Sequence, residues 1–259
     1  MGVNTICIVQ ARMGSSRLPG KVLLPLMGET VLWHIYQRLN IIDEIQNTVI
    51  ATSTEAQDEK IVSYCESRAI PVHRGSENDV LDRFYKAASA FKADAVVRIT
   101  ADCPLVDPQI ITKLISTFRG GSFDHCGIAA GAGVANDEKI NRYPDGLDAE
   151  IFTMKSLKDA WTESTKTLHR EHVTPFIWQQ PDRYELGKLA CDQGDLGQHR
   201  WTLDNQEDYE LISWIYEHLH SESSQFGMND VLELLATHPE KQQLNKHLIG
   251  KEGYEEFWE

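Results

Sequence analysis

Short, continuous, β-branched runs that alternate with stretches of helical spacing constrain this chain more than any other feature. Thr5-Ile6-Cys7-Ile8-Val9 has no charged residue to turn toward water, so it reads as a strand buried on both faces, the condition of a parallel sheet. Asn47-Thr48-Val49-Ile50-Ala51, Pro71-Val72-His73 and Ala95-Val96-Val97-Arg98-Ile99 repeat the pattern, and helical spacing at 29–40, 56–68 and 79–92 supplies the crossovers. Alternation of this kind through residue 118 predicts a doubly wound α/β layer with right-handed crossovers. Between 119 and 150 the chain turns Gly-rich, with Gly120-Gly121 and a small-residue run over 127–133, which predicts loops and short antiparallel pieces. Helical spacing returns at 153–163 and 168–179. Tyr184-Glu185-Leu186 and Arg200-Trp201-Thr202-Leu203 read as strands and 206–220 as a helix, so the far side of the sheet is expected to be mixed. A polar linker at Ser221-Glu222-Ser223-Ser224 precedes a last helix from near Asn229-Asp230. The expected organisation is a domain over 1–220 with a helical extension over 221–259. Trp33, Trp178 and Trp214 fall in apolar helical patterns and are expected in the core.

Charge narrows the partners. With 25 Lys and Arg against 39 Asp and Glu, the formal net charge is -14, which opposes binding to a nucleic-acid backbone or an anionic membrane. No apolar stretch is long enough to cross a bilayer and the first residues lack a secretory pattern, so a cytoplasmic location is expected. The 5 cysteines contain no CxxC pair, which argues against a disulfide framework or a zinc knuckle. Against this acidic background residues 1–28 carry no Asp or Glu, but do carry Arg12, Arg17 and Lys21.

Those cations sit on the loop leaving the first strand, and ligands of open α/β sheets bind at the carboxyl ends of strands. The loop reads Ala11-Arg12-Met13-Gly14-Ser15-Ser16-Arg17-Leu18-Pro19-Gly20-Lys21. Ala11, Gly14, Ser15 and Ser16 let backbone amides approach an anion, while two guanidinium forks and an ammonium neutralise several oxygens at once, as a polyphosphate demands. A phosphate loop of the Walker type is excluded, because 5 residues separate Gly14 from Gly20 and Val22 follows Lys21 where a hydroxyl is required. No G-x-G-x-x-G opens the first helix either. An exposed basic turn is the plainer alternative.

The stretch from Val9 to Lys21 resembles the signature of the cytidylyltransferase family that includes the spore coat polysaccharide biosynthesis protein SpsF, related more distantly to CMP-KDO synthetase. Further blocks resemble that family in its own order: Arg74-Gly75-Ser76-Glu77-Asn78-Asp79-Val80-Leu81-Asp82-Arg83, Arg98-Ile99-Thr100-Ala101-Asp102-Cys103-Pro104-Leu105, Tyr143-Pro144-Asp145-Gly146-Leu147-Asp148-Ala149-Glu150, Arg170-Glu171-His172-Val173-Thr174-Pro175 and Leu203-Asp204-Asn205-Gln206-Glu207-Asp208. Ala101 departs from the glycine common before the first aspartate of its block. The resemblance implies a Rossmann-like nucleotide-diphospho-sugar transferase fold, a mixed but mostly parallel sheet with helices on both faces, and a homodimer.

It also implies a reaction. CMP passes from CTP to a sugar, sugar acid or related acceptor, pyrophosphate leaves, and the product serves surface polysaccharide biosynthesis. In that reading Arg12, Arg17 and Lys21 stabilise charge in catalysis, and Ala11, Gly14, Ser15, Ser16 and Arg83 bind the nucleotide. Asp145, Asp148, Glu150, Arg170 and His172 face the acceptor. Asp102 and Asp204 hold Mg2+, whose octahedral shell takes one or two carboxylates and completes itself with phosphate oxygens and water. Taken singly, Asp102 and Asp204 could instead cap helices, Asp145, Asp148 and Glu150 could be a solvated turn, and Arg170 could form a surface ion pair. His169 and His172 lack the spacing and third ligand of a zinc site. A glycosyltransferase is the second reading, weakened because no D-x-D occurs. A non-catalytic nucleotide-binding subunit is the third.

Overall fold

The computed structural model describes residues 3–130, 140–221 and 225–250. Part of the small-residue run (131–133), the centre of the polar linker (222–224) and the end of the extension (251–259) lie outside the described residues. Strand β1 (Thr5–Gln10) leads through the cationic loop to a hairpin of β2 (Pro25–Leu26) and β3 (Glu29–Thr30), then α1 (Val31–Asn40). There follow β4 (Asn47–Ser53), α2 (Glu59–Ser67), β5 (Val72–Gly75), α3 (Val80–Ala90), β6 (Ala95–Thr100) and α4 (Pro108–Gly121). Beyond them come β7 (His125–Ile128), β8 (Glu150–Thr153), α5 (Met154–Glu163), α6 (Thr167–His172), α7 (Pro175–Trp178), β9 (Leu186–Leu189), α8 (Gln206–Leu219) and α9 (Met228–Thr237).

Seven strands form one sheet in the order β5-β4-β1-β6-β8-β7-β9. β5, β4, β1 and β6 run parallel, β8 is antiparallel to both β6 and β7, and β9 is parallel to β7. The mixed far side expected from the sequence is therefore present. Alternate strand residues serve opposite faces: Cys7, Val9, Val97, Ile99 and Ile151 join the core beneath α1, α2, α4, α8 and α9, whereas Ile6, Ile8, Val96 and Phe152 join the core beneath α3, α5 and α7. That two-sided burial is why these strands carry apolar residues in unbroken runs. Phe226, Met228, Val231 and Leu235 of the extension pack into the first of these cores.

Four local expectations need correction. Residues 168–179 are two short helices, because Val173 takes φ 73 and interrupts the backbone ladder between α6 and α7. The strand expected at Tyr184-Glu185-Leu186 begins only at Leu186 and continues to Leu189. Residues 201–204 form no strand, and Arg200 makes only an isolated bridge with Asp145. Trp33, Trp178 and Trp214 are half-buried, Trp33 and Trp214 packing against the core from its edge, and among the described residues the fully buried tryptophan is Trp201. Among the described residues no helix is long and apolar enough to cross a membrane.

Candidate active site

β1 and β6 are parallel neighbours with Gln10 opposite Thr100, so the loop after β1 and the turn bearing Asp102 leave the same edge of the sheet. Ala101 N–H donates to the Gln10 carbonyl at 2.9 Å and keeps the two exits together. The loop is closed by Gly20 N–H on the Met13 carbonyl (3.1 Å), with Gly20 at φ 71, a conformation that costs glycine little. Buried Asp58 anchors it from below, accepting Met13 N–H at 2.7 Å and the Ser53 hydroxyl at 2.5 Å.

Asp204 arrives by a different route from the one its sequence context suggests. It follows no strand. Leu203 N–H donates to the Asp102 carbonyl (2.7 Å) and Trp201 N–H to the Asp145 carbonyl (2.7 Å), and these backbone bonds lay residues 201–204 against the Asp102 turn. The close approach depends on Gly146, at φ 97, where a Cβ would stand 2.5 Å from Thr202 N.

The result is a compact charged centre. Lys21 Nζ donates to Asp102 at 3.0 Å and to Asp204 at 2.8 Å, and Arg17 pairs with Asp204 at 3.2 Å. Burial opposes the charge on Lys21, but the two carboxylates raise its pKa above the ordinary value. Burial likewise opposes ionisation of Asp102, yet the Lys21 ammonium and a Thr100 hydrogen bond hold its carboxyl below the usual range. Arg12 is exposed and pairs with no described carboxylate. Ala11 is buried with its N–H on Ala51, and Ser15 N–H is used on Met13. The N–H groups of Gly14, Ser16 and Arg17 make no bond to any described residue.

The remaining predicted positions divide. Arg83 is buried, its Nη1 donating to the Ser76 carbonyl, and no described group accepts from its Nε. Desolvation brings its pKa down to about 10. Asp148 accepts Gly146 N–H at 2.7 Å, and burial followed by the nearby Asp102 charge pushes its pKa up to about 6. Asp145 pairs with buried Arg200 (3.2 Å). Glu150 is held by Arg98 (2.7 Å), His125 (3.0 Å) and Thr174 (2.8 Å). Burial opposes its charge, but these partners bring its pKa to about 2. Arg170 is committed to Asp79 and to the Trp161 carbonyl, whereas His172 is half-buried near Arg98 and Glu150. Both ring nitrogens of His169 are engaged, by Ser164 and Gln179.

Sequence reasoning missed Asp58, Arg98, His125, Arg200, Asp208 and Asn245. Arg98 and Asp208 stood inside quoted blocks and Arg200 close to one, and Arg98, an arginine in a strand buried on both faces, was a signal that it needs a buried acid. No signal in the sequence connects Asn245 to this centre. The 5 cysteines are buried, and desolvation raises each thiol's pKa, so no thiolate nucleophile is available among them.

A family model described as cytidylyltransferase matches residues 6–255. The spore coat polysaccharide biosynthesis protein SpsF of Bacillus subtilis is 34% identical over 243 residues, covering 92% of this chain and 96% of that protein. A cytidylyltransferase structure from Leptospira borgpetersenii superposes with a TM-score of 0.83 at 28% identity, covering 93% of this chain and 98% of the other. CMP:2-keto-3-deoxy-manno-octonic acid synthetase complexed with CTP shares the fold at a TM-score of 0.61 and 14% identity, over 83% of this chain and 99% of the other.

Proposed function

The chain belongs to the cytidylyltransferase family, and from that premise we propose that it transfers CMP from CTP to an oxygen of a sugar, sugar acid or related acceptor. The new bond joins the acceptor oxygen to the α-phosphorus as its hydroxyl proton is lost to water, the bond to the bridging oxygen breaks with its electron pair, and pyrophosphate leaves. The observation that carries this reading is the convergence of Lys21 and Arg17 on Asp102 and Asp204 beneath the cationic loop. That centre combines acids and bases in the way a metal–polyphosphate complex requires.

Asp102 and Asp204 fit Mg2+ in chemistry: both are hard oxygen donors, among the described residues the soft group near them is the protonated Cys103 thiol, 3.6 Å from Asp102, and substrate phosphates and water complete such shells. When bound, the ion neutralises phosphate charge and holds the reacting groups in line. Arg12, Arg17 and Lys21 stabilise the charge that passes to pyrophosphate, and the backbone N–H groups of Gly14 and Ser16 donate to phosphate oxygens, with Ala11, Ser15 and Arg83 shaping the nucleotide side. Asp148 is the best placed of the acceptor residues, since among the described residues its carboxylate is engaged by the Gly146 backbone amide and by no side chain. Asp145, Glu150, Arg170 and His172 would act in the acceptor wall through the pairs they already make. A cytoplasmic homodimer working in surface polysaccharide assembly completes the proposal, with the 221–259 extension appended to the transferase domain.

Pyrophosphate release from CTP, measured with Mg2+ and a panel of sugar and sugar-acid acceptors, tests the reaction. Asp102→Ala is expected to abolish metal-dependent release and Lys21→Ala to lower turnover chiefly. Unchanged kinetics in both variants rejects the assignment.

A further inference from the structure

The reaction above leaves unexplained a deeply buried cation, Arg200. The Arg200 side chain is 2% exposed and stands among three carboxylates. Its Nε and Nη2 donate to Asp208 (3.0 and 3.1 Å), Nη1 to Asp145 (3.2 Å) and Nη2 also to Asp204 (3.2 Å). Asp208, itself fully buried, accepts the backbone N–H groups of Asp204 (3.1 Å) and Asn205 (2.9 Å) on Oδ2, the oxygen that also accepts Arg200 Nη2. The C-terminal segment closes the arrangement. Asn245, 3% exposed, donates from Nδ2 to the Arg200 carbonyl and to Asp208 Oδ1, both at 2.9 Å.

Buried ion networks contribute little net stability, because desolvation consumes most of the attraction. What this one does geometrically is specific. Arg200 and Arg17 occupy Asp204 Oδ2, Lys21 is the described partner of Oδ1, and the Asp204 backbone is pinned through Asp208. The rotamer of Asp204 is thereby fixed, with one oxygen turned toward Asp102 through their shared lysine. Such outer partners of metal-binding carboxylates orient them and tune their affinity.

We propose that the C-terminal segment is a working part of this centre: Asn245 holds the Arg200–Asp208 pair, and Arg200 is the positioning residue that orients Asp204 and ties it to Asp145. The inference rests on Asp204 being a ligand of the divalent cation that accompanies CTP.

The test uses the full chain with Mn2+ as a paramagnetic probe and CTP but no acceptor, so the readout is binding and not turnover. Arg200→Lys keeps the charge and loses the fork, and is expected to weaken Mn2+ binding roughly 10- to 100-fold, with Asn245→Ala weakening it about 3- to 10-fold. Asn245→Asp, equal in shape but without the donor, should be no better than Asn245→Ala. Folded Asn245→Ala and Arg200→Lys proteins that bind Mn2+ as the parent does, with only a lower Tm, overturn the proposal. Should Arg200→Lys fail to fold, the two Asn245 variants decide. Asp204→Asn separates the two failures: parent-like binding in that variant removes the ligand reading itself, and weakened binding there alone removes only the positioning role.

Discussion

Single charged groups in this molecule have consequences that can be read with their signs. Lys21 separates two carboxylates, so Lys21→Met leaves both facing each other and should lower stability by about 1–3 kcal/mol in urea unfolding. Added Mg2+ and CTP should recover part of that loss. Glu150 and Asp148 predict opposite pH behaviour. The Glu150 pKa falls to about 2 in the fold, so its stabilisation is present above the ordinary glutamate value near 4.5 and disappears as pH drops through that value toward 2. Glu150→Gln should therefore cost on the order of 3 kcal/mol at pH 7 and flatten the pH dependence of unfolding across that interval. The Asp148 pKa rises to about 6, so its contribution favours the fold below the ordinary aspartate value near 3.8 and is lost as pH climbs through 6. Asp148→Asn should raise stability at pH 7.5 by ~1–3 kcal/mol and have no such effect at pH 3.5. That Lys21, Asp102 and Asp204 belong together was legible in the sequence through the family resemblance of their blocks, and the three side chains do meet. Glu150 was legible as an acid, but its commitment to Arg98 was not, since that pair is set by antiparallel register between β6 and β8.

Elements join through their ends. Asp107 accepts Gln109 and Ile110 N–H at the start of α4 and, on its other oxygen, Met228 N–H at the start of α9. It is 5% exposed, so Asp107→Ala loses a cap and leaves a donor of the extension without its acceptor. The expected cost is about 2–4 kcal/mol by urea unfolding, against about 1 kcal/mol for Thr30→Ala, which caps α1 alone through Trp33 N–H. Helices α1, α3 and α8 and strands β1, β4 and β6 stood near their expected places because period and burial agree there. Residues 168–179 misled, since helical spacing continues across Val173 while its backbone turns aside and delivers Thr174 to Glu150. The break coincides with a contact distant in sequence, of which local periodicity carries no record.

At the scale of the whole chain, the layered α/β plan was legible because two-faced burial writes unbroken apolar runs into parallel strands. The loop after β1 and the Asp102 turn followed from that plan, whereas the position of Asp204 did not, as no strand carries it. Nucleotide selectivity belongs to this scale as well. In thermal unfolding with Mg2+, CTP at a hundred times its Kd should stabilise the protein by about 2.7 kcal/mol, and UTP, GTP and ATP at the same concentration by less. Equal shifts with all four would remove the cytidine preference.

The backbone bond from Leu203 to Asp102 has one more consequence. It staples positions a hundred residues apart, so the pair of acids cannot loosen piecemeal: whatever frays that joint must peel the late part of the chain from the sheet. Loss of triphosphate affinity and collapse of the core should then trace one sigmoid along a denaturant axis, with no dormant but still folded species between them.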